Sequence, residues 1–130
     1  MNRKFLLDSH KLQYHPRYVA DFLEGKRIAT IYAEISPVAH CNHHCLFCNF
    51  NYLGHKGRLP KNRMITLMEE FAQAGVKSVV FAGAGEPTLH PDTFLAISKA
   101  REVGIDVAMS TNGVLIKENQ LEQILGLWQH

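Results

Sequence analysis

Residues 77–87, KSVVFAGAGEP, carry the clearest local signal of secondary structure in the sequence. The first part, KSVVFA (77–82), is a short apolar run that predicts a buried strand. The glycine-rich turn GAGEP (83–87) follows at once. A helix is predicted at about 91–103, because Pro91 and Asp92 suit a helix start and Gly104 a helix end. The stretch therefore predicts a strand, a loop and a helix in succession.

Similar units lie on both sides of this stretch. Upstream, IATIYAEI (28–35) alternates apolar and other side chains and predicts a strand, and a helix is predicted at 62–74. Downstream, IDVAM (105–109) predicts a strand that runs into STNG (110–113). A last helix is predicted at 118–128. Strands and helices thus alternate, which predicts an α/β fold with a parallel sheet.

The predicted organisation is a helical lead-in, residues 1–27, followed by an α/β region of about three βα units, residues 28–130. Ligands of parallel α/β folds bind at the carboxyl ends of the strands. Three loops follow the three predicted strands, and we expect them to line one edge of the sheet. They are HCNHHCLFCNF (40–50), GAGEP and STNG.

The first of these loops contains every cysteine of the chain, namely Cys41, Cys45 and Cys48. An odd, clustered set does not suit a secreted disulfide framework. Inert buried thiols fit poorly with a loop rich in His and Asn. Zinc could take Cys45 and Cys48, with further ligands from Cys41, His40, His43 or His44. An iron–sulfur cluster could take the three thiolates and leave a fourth position open for a reactant.

The motif Cys41-x-x-x-Cys45-x-x-Cys48, followed in order by GAGEP and STNG, resembles the radical S-adenosylmethionine (SAM) enzymes. The resemblance extends from about Tyr14 to Trp128 and implies a partial (β/α) barrel. It also implies that the three cysteines hold a [4Fe–4S] cluster with SAM at its open iron. In that family, reductive cleavage of SAM gives a 5′-deoxyadenosyl radical that abstracts hydrogen from a substrate.

The resemblance further implies which residues lie beside SAM. Phe47 occupies the aromatic position before the last cysteine, and Thr111 belongs to a Thr-Asn-Gly sequence typical of the family. GAGEP resembles the family's Gly-Gly-Glu-Pro motif, with Ala84 in place of the first glycine, followed by Gly85 and Glu86. We expect these five residues to border the cofactor. No catalytic residue is predicted beyond the cluster ligands.

Structural roles are the alternatives for several of these residues. Phe47 could pack the loop against the sheet, and Glu86 could be a structural carboxylate. Asn112-Gly113 is a dipeptide typical of turns, and a turn alone would explain it without a binding role. These alternatives and the cofactor roles both remain open from the sequence.

The composition and net charge of the chain limit the classes of partner that we expect. The chain has 130 residues, of which 46% are hydrophobic and 20% charged, and its net charge of +2 is too small to indicate nucleic acid or a membrane surface. No apolar run approaches the roughly 20 residues of a membrane span, and we expect a cytoplasmic protein. Expected partners are SAM, an unidentified substrate and an electron donor such as flavodoxin or ferredoxin.

The family's barrel has six βα units, whereas about three are predicted here. We therefore expect the N-terminal half of a radical SAM core, as a fragment or a truncated product. A partner chain could complete the barrel. An inactive half-barrel that serves as a scaffold is a further alternative.

Overall fold

The computed structural model describes residues 11–50, 54 and 56–121. Its helices and strands follow in chain order: a 3-10 helix Lys11–Tyr14, α1 Pro16–Leu23, β1 Tyr32–Ile35, α2 Lys61–Ala74, β2 Ser78–Phe81, a 3-10 helix Pro87–Leu89, α3 Thr93–Glu102 and β3 Asp106–Met109. The predicted last helix begins within the described residues, since 118–121 are helical. The rest of it, 122–128, lies outside them, as do residues 1–10 of the lead-in.

In the described part of the chain, three strands form one parallel sheet in the order β1-β2-β3. Ile35, Phe81 and Met109 are register partners at the strand ends. Because the strands run in one direction, the segments that follow these residues leave from the same edge. The predicted α/β class and the parallel arrangement are therefore confirmed.

The first strand is shorter than predicted. It begins at Tyr32 rather than residue 28, and Tyr32 is the register partner of Ser78, the first residue of β2. Just before it, the carbonyl of Ile31 accepts the backbone N–H groups of Lys77 and Ser78 at 2.9 and 3.2 Å. Since β2 begins at Ser78, residues 28–30 have no β2 residues opposite them to extend the ladder.

Two of the helices cover one face of the sheet. Met64 and Met68 of α2 and Ala96 and Ala100 of α3 are fully buried in one cluster with residues from the strands, including Phe81. Burying a large apolar side chain contributes about 1.5–3 kcal/mol, so this layer carries much of the folding energy. None of the described helices is long and apolar enough to cross a membrane.

In the described part of the chain, the other face of the sheet is open. Tyr32 and Glu34 of β1 and Asp106 and Ala108 of β3 are exposed there, alternating with residues that face the helices. This period of two is what a half-covered sheet requires. The open face and the loop edge meet near Glu34, where a Cβ on Gly83 would lie 3.4 Å from the Glu34 carboxylate.

Candidate functional site: three loops at the carboxyl edge of the sheet

The cysteine loop is closed at its base by pairing of its two ends. Val38 and Arg58 form an isolated antiparallel bridge. The N–H of Ala39 donates to the carbonyl of Gly57 at 2.8 Å, and Val38 is only 1% exposed. The loop therefore starts from a fixed, buried base directly after β1.

The three cysteines are free thiols. Cys41 and Cys45 are exposed, Cys48 is half-buried, and the Cys48 N–H donates to the Cys45 carbonyl at 3.0 Å. The His43 N–H donates to Cys41 Sγ at 3.4 Å. The loop thus presents three unmodified sulfurs on a short, turned segment.

A cavity of about 160 Å³ is lined by two of these cysteines. Its walls include Cys41, Cys48, His40, His44, Phe50, Lys56 and Ala84. In the described residues, no three His, Cys, Asp or Glu side chains converge on a point where a metal ion could be held. The donor set nevertheless fits an iron–sulfur cluster chemically, because cysteine thiolates are its usual ligands and two of the three free cysteines line one cavity.

Glu86 connects all three loops. Its carboxylate oxygen Oε1 accepts hydrogen bonds from the Thr88 N–H (3.0 Å), the Thr88 hydroxyl (2.6 Å) and the Thr111 hydroxyl (2.6 Å). Oε2 accepts the N–H of Asn112 at 2.8 Å. The backbone N–H of Glu86 donates to the carbonyl of His40 at 3.0 Å, next to the first cysteine. Glu86 is therefore bonded to the first loop, its own loop and the third loop.

The charge of Glu86 is stabilised within the protein. Only 3% of the residue is exposed, and this burial by itself would raise the pKa of the carboxyl. Hydrogen bonds from Thr111, Thr88 and the backbone of Asn112 favour the ionised form more strongly, and the pKa lies below its usual value. These hydrogen bonds give the carboxylate a structural role between the loops. A contact with SAM stays a prediction.

The GAGEP turn packs directly on the start of the cysteine loop. Gly83 has φ +94°, in the left-handed region, and a Cβ there would overlap the hydroxyl of Ser36. That hydroxyl accepts the N–H of Ala84 at 3.0 Å. A Cβ on Gly85 would overlap the backbone of His40. The turn therefore approaches the first loop as closely as backbone atoms allow, while Ala84 lines the cavity.

The third loop reaches the first across the end of β2. The amide nitrogen Nδ2 of Asn112 lies 2.8 Å from Asn42 Oδ1 and 3.8 Å from Cys41 Sγ. Its oxygen Oδ1 accepts the Val114 N–H at 3.1 Å. Asn112 was expected at this edge from STNG, but nothing in the sequence indicated that its amide meets Cys41.

Phe47 stands apart from the other predicted site residues. It is 89% exposed, as is its neighbour Leu46 at 105%, so it does not pack the loop against the sheet. Ala84, Gly85, Glu86 and Thr111 are by contrast brought together around the cysteine loop. Ser36 was missed as a site residue, although it directly follows a strand, which is the same signal that singled out STNG.

Residues 35–128 match the family model described as the radical SAM superfamily. The match covers well over half of the chain. This protein therefore belongs to the radical SAM superfamily, an assignment that confirms the resemblance carried by the three motifs and their order.

Curated relatives are enzymes of this superfamily. A probable GTP 3′,8-cyclase of Sulfolobus acidocaldarius is 38% identical over 98 residues, covering 74% of this chain and 29% of that protein. A SAM-dependent nucleotide dehydratase of Flammeovirga pacifica is 33% identical over 89 residues, covering 64% and 30%. The chain thus spans about three-tenths of the length of these relatives.

Solved structures give the same fold. SuiB of Streptococcus suis bound to the precursor peptide SuiA superposes with a TM-score of 0.67 at 25% identity, over 94% of this chain and 28% of SuiB. BtrN in complex with AdoMet and 2-DOIA superposes with a TM-score of 0.64 at 23% identity, over 76% and 42%. The three parallel βα units are therefore a segment of the radical SAM fold, as predicted.

Proposed function

We propose that this chain forms the cofactor-binding part of a radical SAM enzyme, with Cys41, Cys45 and Cys48 holding a [4Fe–4S] cluster and SAM bound at its open iron. The observation that carries the proposal is the meeting of a loop with three free thiols and the GAGEP and STNG loops at one sheet edge. When bound, such a cluster supplies one electron that breaks the sulfonium–C5′ bond, giving methionine and a 5′-deoxyadenosyl radical for hydrogen abstraction.

The surrounding residues shape the SAM site in this proposal. Ala84 and Gly85 present backbone groups to the cofactor, because Ala84 lines the cavity and Gly85 has no side chain to hold it away. Glu86 and Thr111 fix the path of the second and third loops through their 2.6 Å hydrogen bond. Phe47, which is exposed one residue before Cys48, would border the cofactor.

The relatives differ in what their names say they act on or bind. They include GTP and nucleotide enzymes, a protein bound to a precursor peptide and one bound to 2-DOIA. A segment common to such different proteins suits the chemistry they share, which is the use of SAM. We therefore assign the substrate to no class. The electron comes from a donor such as flavodoxin or ferredoxin, and further βα units, on a longer chain or a partner chain, supply the substrate contacts.

Zinc binding is the second candidate, since one specific observation favours it. The cavity wall carries Cys41 and Cys48 together with His40 and His44. Two thiolates and two imidazoles are a set that zinc accepts. The two candidates differ in whether a histidine is needed and whether sulfide is incorporated.

Anaerobic reconstitution with iron and sulfide tests both candidates. The proposal expects about four irons per chain, and an EPR signal of the dithionite-reduced protein that changes when SAM is added. Alanine variants of Cys41, Cys45 and Cys48 should each lose most of the cluster, whereas His44→Ala should retain it. Zinc in the isolated protein that is lost in His44→Ala would replace the proposal with the zinc site. A cluster whose signal ignores SAM would indicate an inactive scaffold.

A further inference from the structure

One side chain from the third loop points at the sulfur of the first cysteine. Asn112 Nδ2 lies 3.8 Å from Cys41 Sγ, although the two residues are 71 positions apart in the chain. Among the described residues, a second donor to this sulfur, the His43 N–H at 3.4 Å, belongs to the cysteine loop itself. Asn112 is therefore a donor whose position depends on the fold and not on the local path of the loop.

The orientation of the Asn112 amide is determined by its other contacts. Oδ1 accepts the backbone N–H of Val114 at 3.1 Å, and a backbone N–H can only donate. The oxygen must therefore face Val114, and the NH₂ group must face the cysteine loop. One of its hydrogens has Asn42 Oδ1 at 2.8 Å, and Cys41 Sγ is the second acceptor within reach.

The backbone of Asn112 is held as firmly as its side chain. Its N–H donates to the buried carboxylate of Glu86 at 2.8 Å, and Thr111 beside it donates to the same carboxylate at 2.6 Å. Hydrogen bonds to an ionised acceptor are about twice as strong as neutral ones. The donor is thus set in place before any ligand binds.

We propose that Asn112 is a positioning residue that donates a hydrogen bond to the Cys41 thiolate and raises the reduction potential of the cluster. The inference rests on the proposed function, since it requires that Cys41 binds iron. A thiolate accepts hydrogen bonds more strongly than a thiol does. Hydrogen bonds to cluster sulfurs are among the factors that set cluster potentials. A reduced cluster carries one more negative charge, so a donor stabilises it more than the oxidised form, and reduction becomes easier.

Two substitutions test this role. Asn112→Ala removes both the donor and the acceptor of the side chain. Asn112→Asp keeps an oxygen for the Val114 N–H but has no N–H for the sulfur, and it adds a negative charge. The matched control is Asn62→Ala, an exposed asparagine in the first turn of α2 that does not line the cavity beside the cysteines.

The measurement is the midpoint potential of the reconstituted chain, from an EPR-monitored redox titration, with iron content and circular dichroism as checks. We expect a more negative potential in Asn112→Ala, a still more negative one in Asn112→Asp, and the wild-type value in Asn62→Ala. Unchanged or more positive potentials in both Asn112 variants would overturn the inference and leave the proposed function intact.

Two further outcomes separate the inference from the proposed function. Loss of the cluster in both Asn112 variants, with a wild-type cluster present, would assign Asn112 to assembly of the site and overturn its tuning role. A wild-type chain that incorporates no cluster would overturn the proposed function itself, and the inference with it.

Discussion

Replacing Gly85 by alanine is expected to destabilise the chain and to displace the cysteine loop. Gly85 is not among the glycines with a left-handed φ, so its backbone conformation does not oppose alanine. Space does. A Cβ at Gly85 would overlap the carbonyl oxygen of His40 and lie 2.5 Å from the oxygen of Val38 and 2.7 Å from the nitrogen of His40.

The magnitude follows from what these three atoms are. They are backbone atoms at the buried base of the cysteine loop, so no side-chain rotation can relieve the contact, and the backbone must shift by about 0.5 Å to reach even the closest tolerated distance. Overpacking costs about 1–3 kcal/mol, and a purely backbone contact belongs at the upper end. We expect a loss of about 3 kcal/mol, or about 10 °C in Tm for a chain of this size.

The control is Gly57→Ala, at the other end of the same loop base. A Cβ there has Ala39 Cβ at 3.8 Å as its nearest neighbour, an ordinary contact, and the φ of Gly57 is also outside the left-handed region. Its stability should stay within about 1 kcal/mol of wild type. Urea unfolding followed by circular dichroism gives both values. A Gly85→Ala midpoint equal to that of Gly57→Ala would refute the close packing of GAGEP on the loop.

Three further substitutions probe the site and its support. Glu86→Gln should lower the free energy of unfolding by about 2 kcal/mol at pH 7. Because the pKa of Glu86 is lowered in the folded state, this difference should shrink as the pH falls below the ordinary glutamate pKa and through the folded pKa. A difference in urea midpoint that does not change with pH would contradict this expectation. Thr93→Val should cost about 1–2 kcal/mol in urea unfolding, because the buried Thr93 hydroxyl donates to the Pro87 carbonyl at 2.7 Å, and Thr93→Ser should not. Ser36→Ala removes the acceptor of the Ala84 N–H and should weaken SAM binding to the reconstituted chain severalfold by calorimetry, whereas wild-type affinity would show that this contact does not shape the site.

The order of the elements was readable from the sequence because it depends on local chemistry. Gly75 ends α2 with φ +91°, and Gly104 follows α3 with φ +81°, where glycine avoids the strain of other residues. The apolar run of β2 is buried in alternation, with Val79 and Phe81 inside. Such features need only a residue and its neighbours, and they placed the three loops at one edge correctly.

The contacts among the loops were not readable in this way. Glu86 lies in a glycine-rich turn, where a charged side chain is ordinarily exposed, yet it is buried. Burial becomes tolerable because donors surround the carboxylate, and two of them, on Thr111 and Asn112, lie 25 and 26 residues later in the chain. Strand register and loop path together determine which donors reach the Glu86 carboxylate. The local periodicity of the sequence predicts neither of them. The exposed position of Phe47 has the same origin.

The contacts of Glu86 and Asn112 form a chain of hydrogen bonds that begins at His40 and ends at its neighbour Cys41. The carbonyl of His40 accepts the Glu86 N–H, the Glu86 carboxylate accepts the Asn112 N–H, and the Asn112 amide faces the sulfur of Cys41. In a cysteine loop without contacts to other loops, only the local backbone would determine the position of Cys41. Here its place is instead set by groups on the second and third loops, so the geometry of the first proposed iron ligand depends on the packing of all three βα units. The fold and the chemistry of the sulfur are in this sense one structural problem, because a change at Gly85 or Glu86 reaches Cys41 through backbone atoms and hydrogen bonds rather than through direct contact.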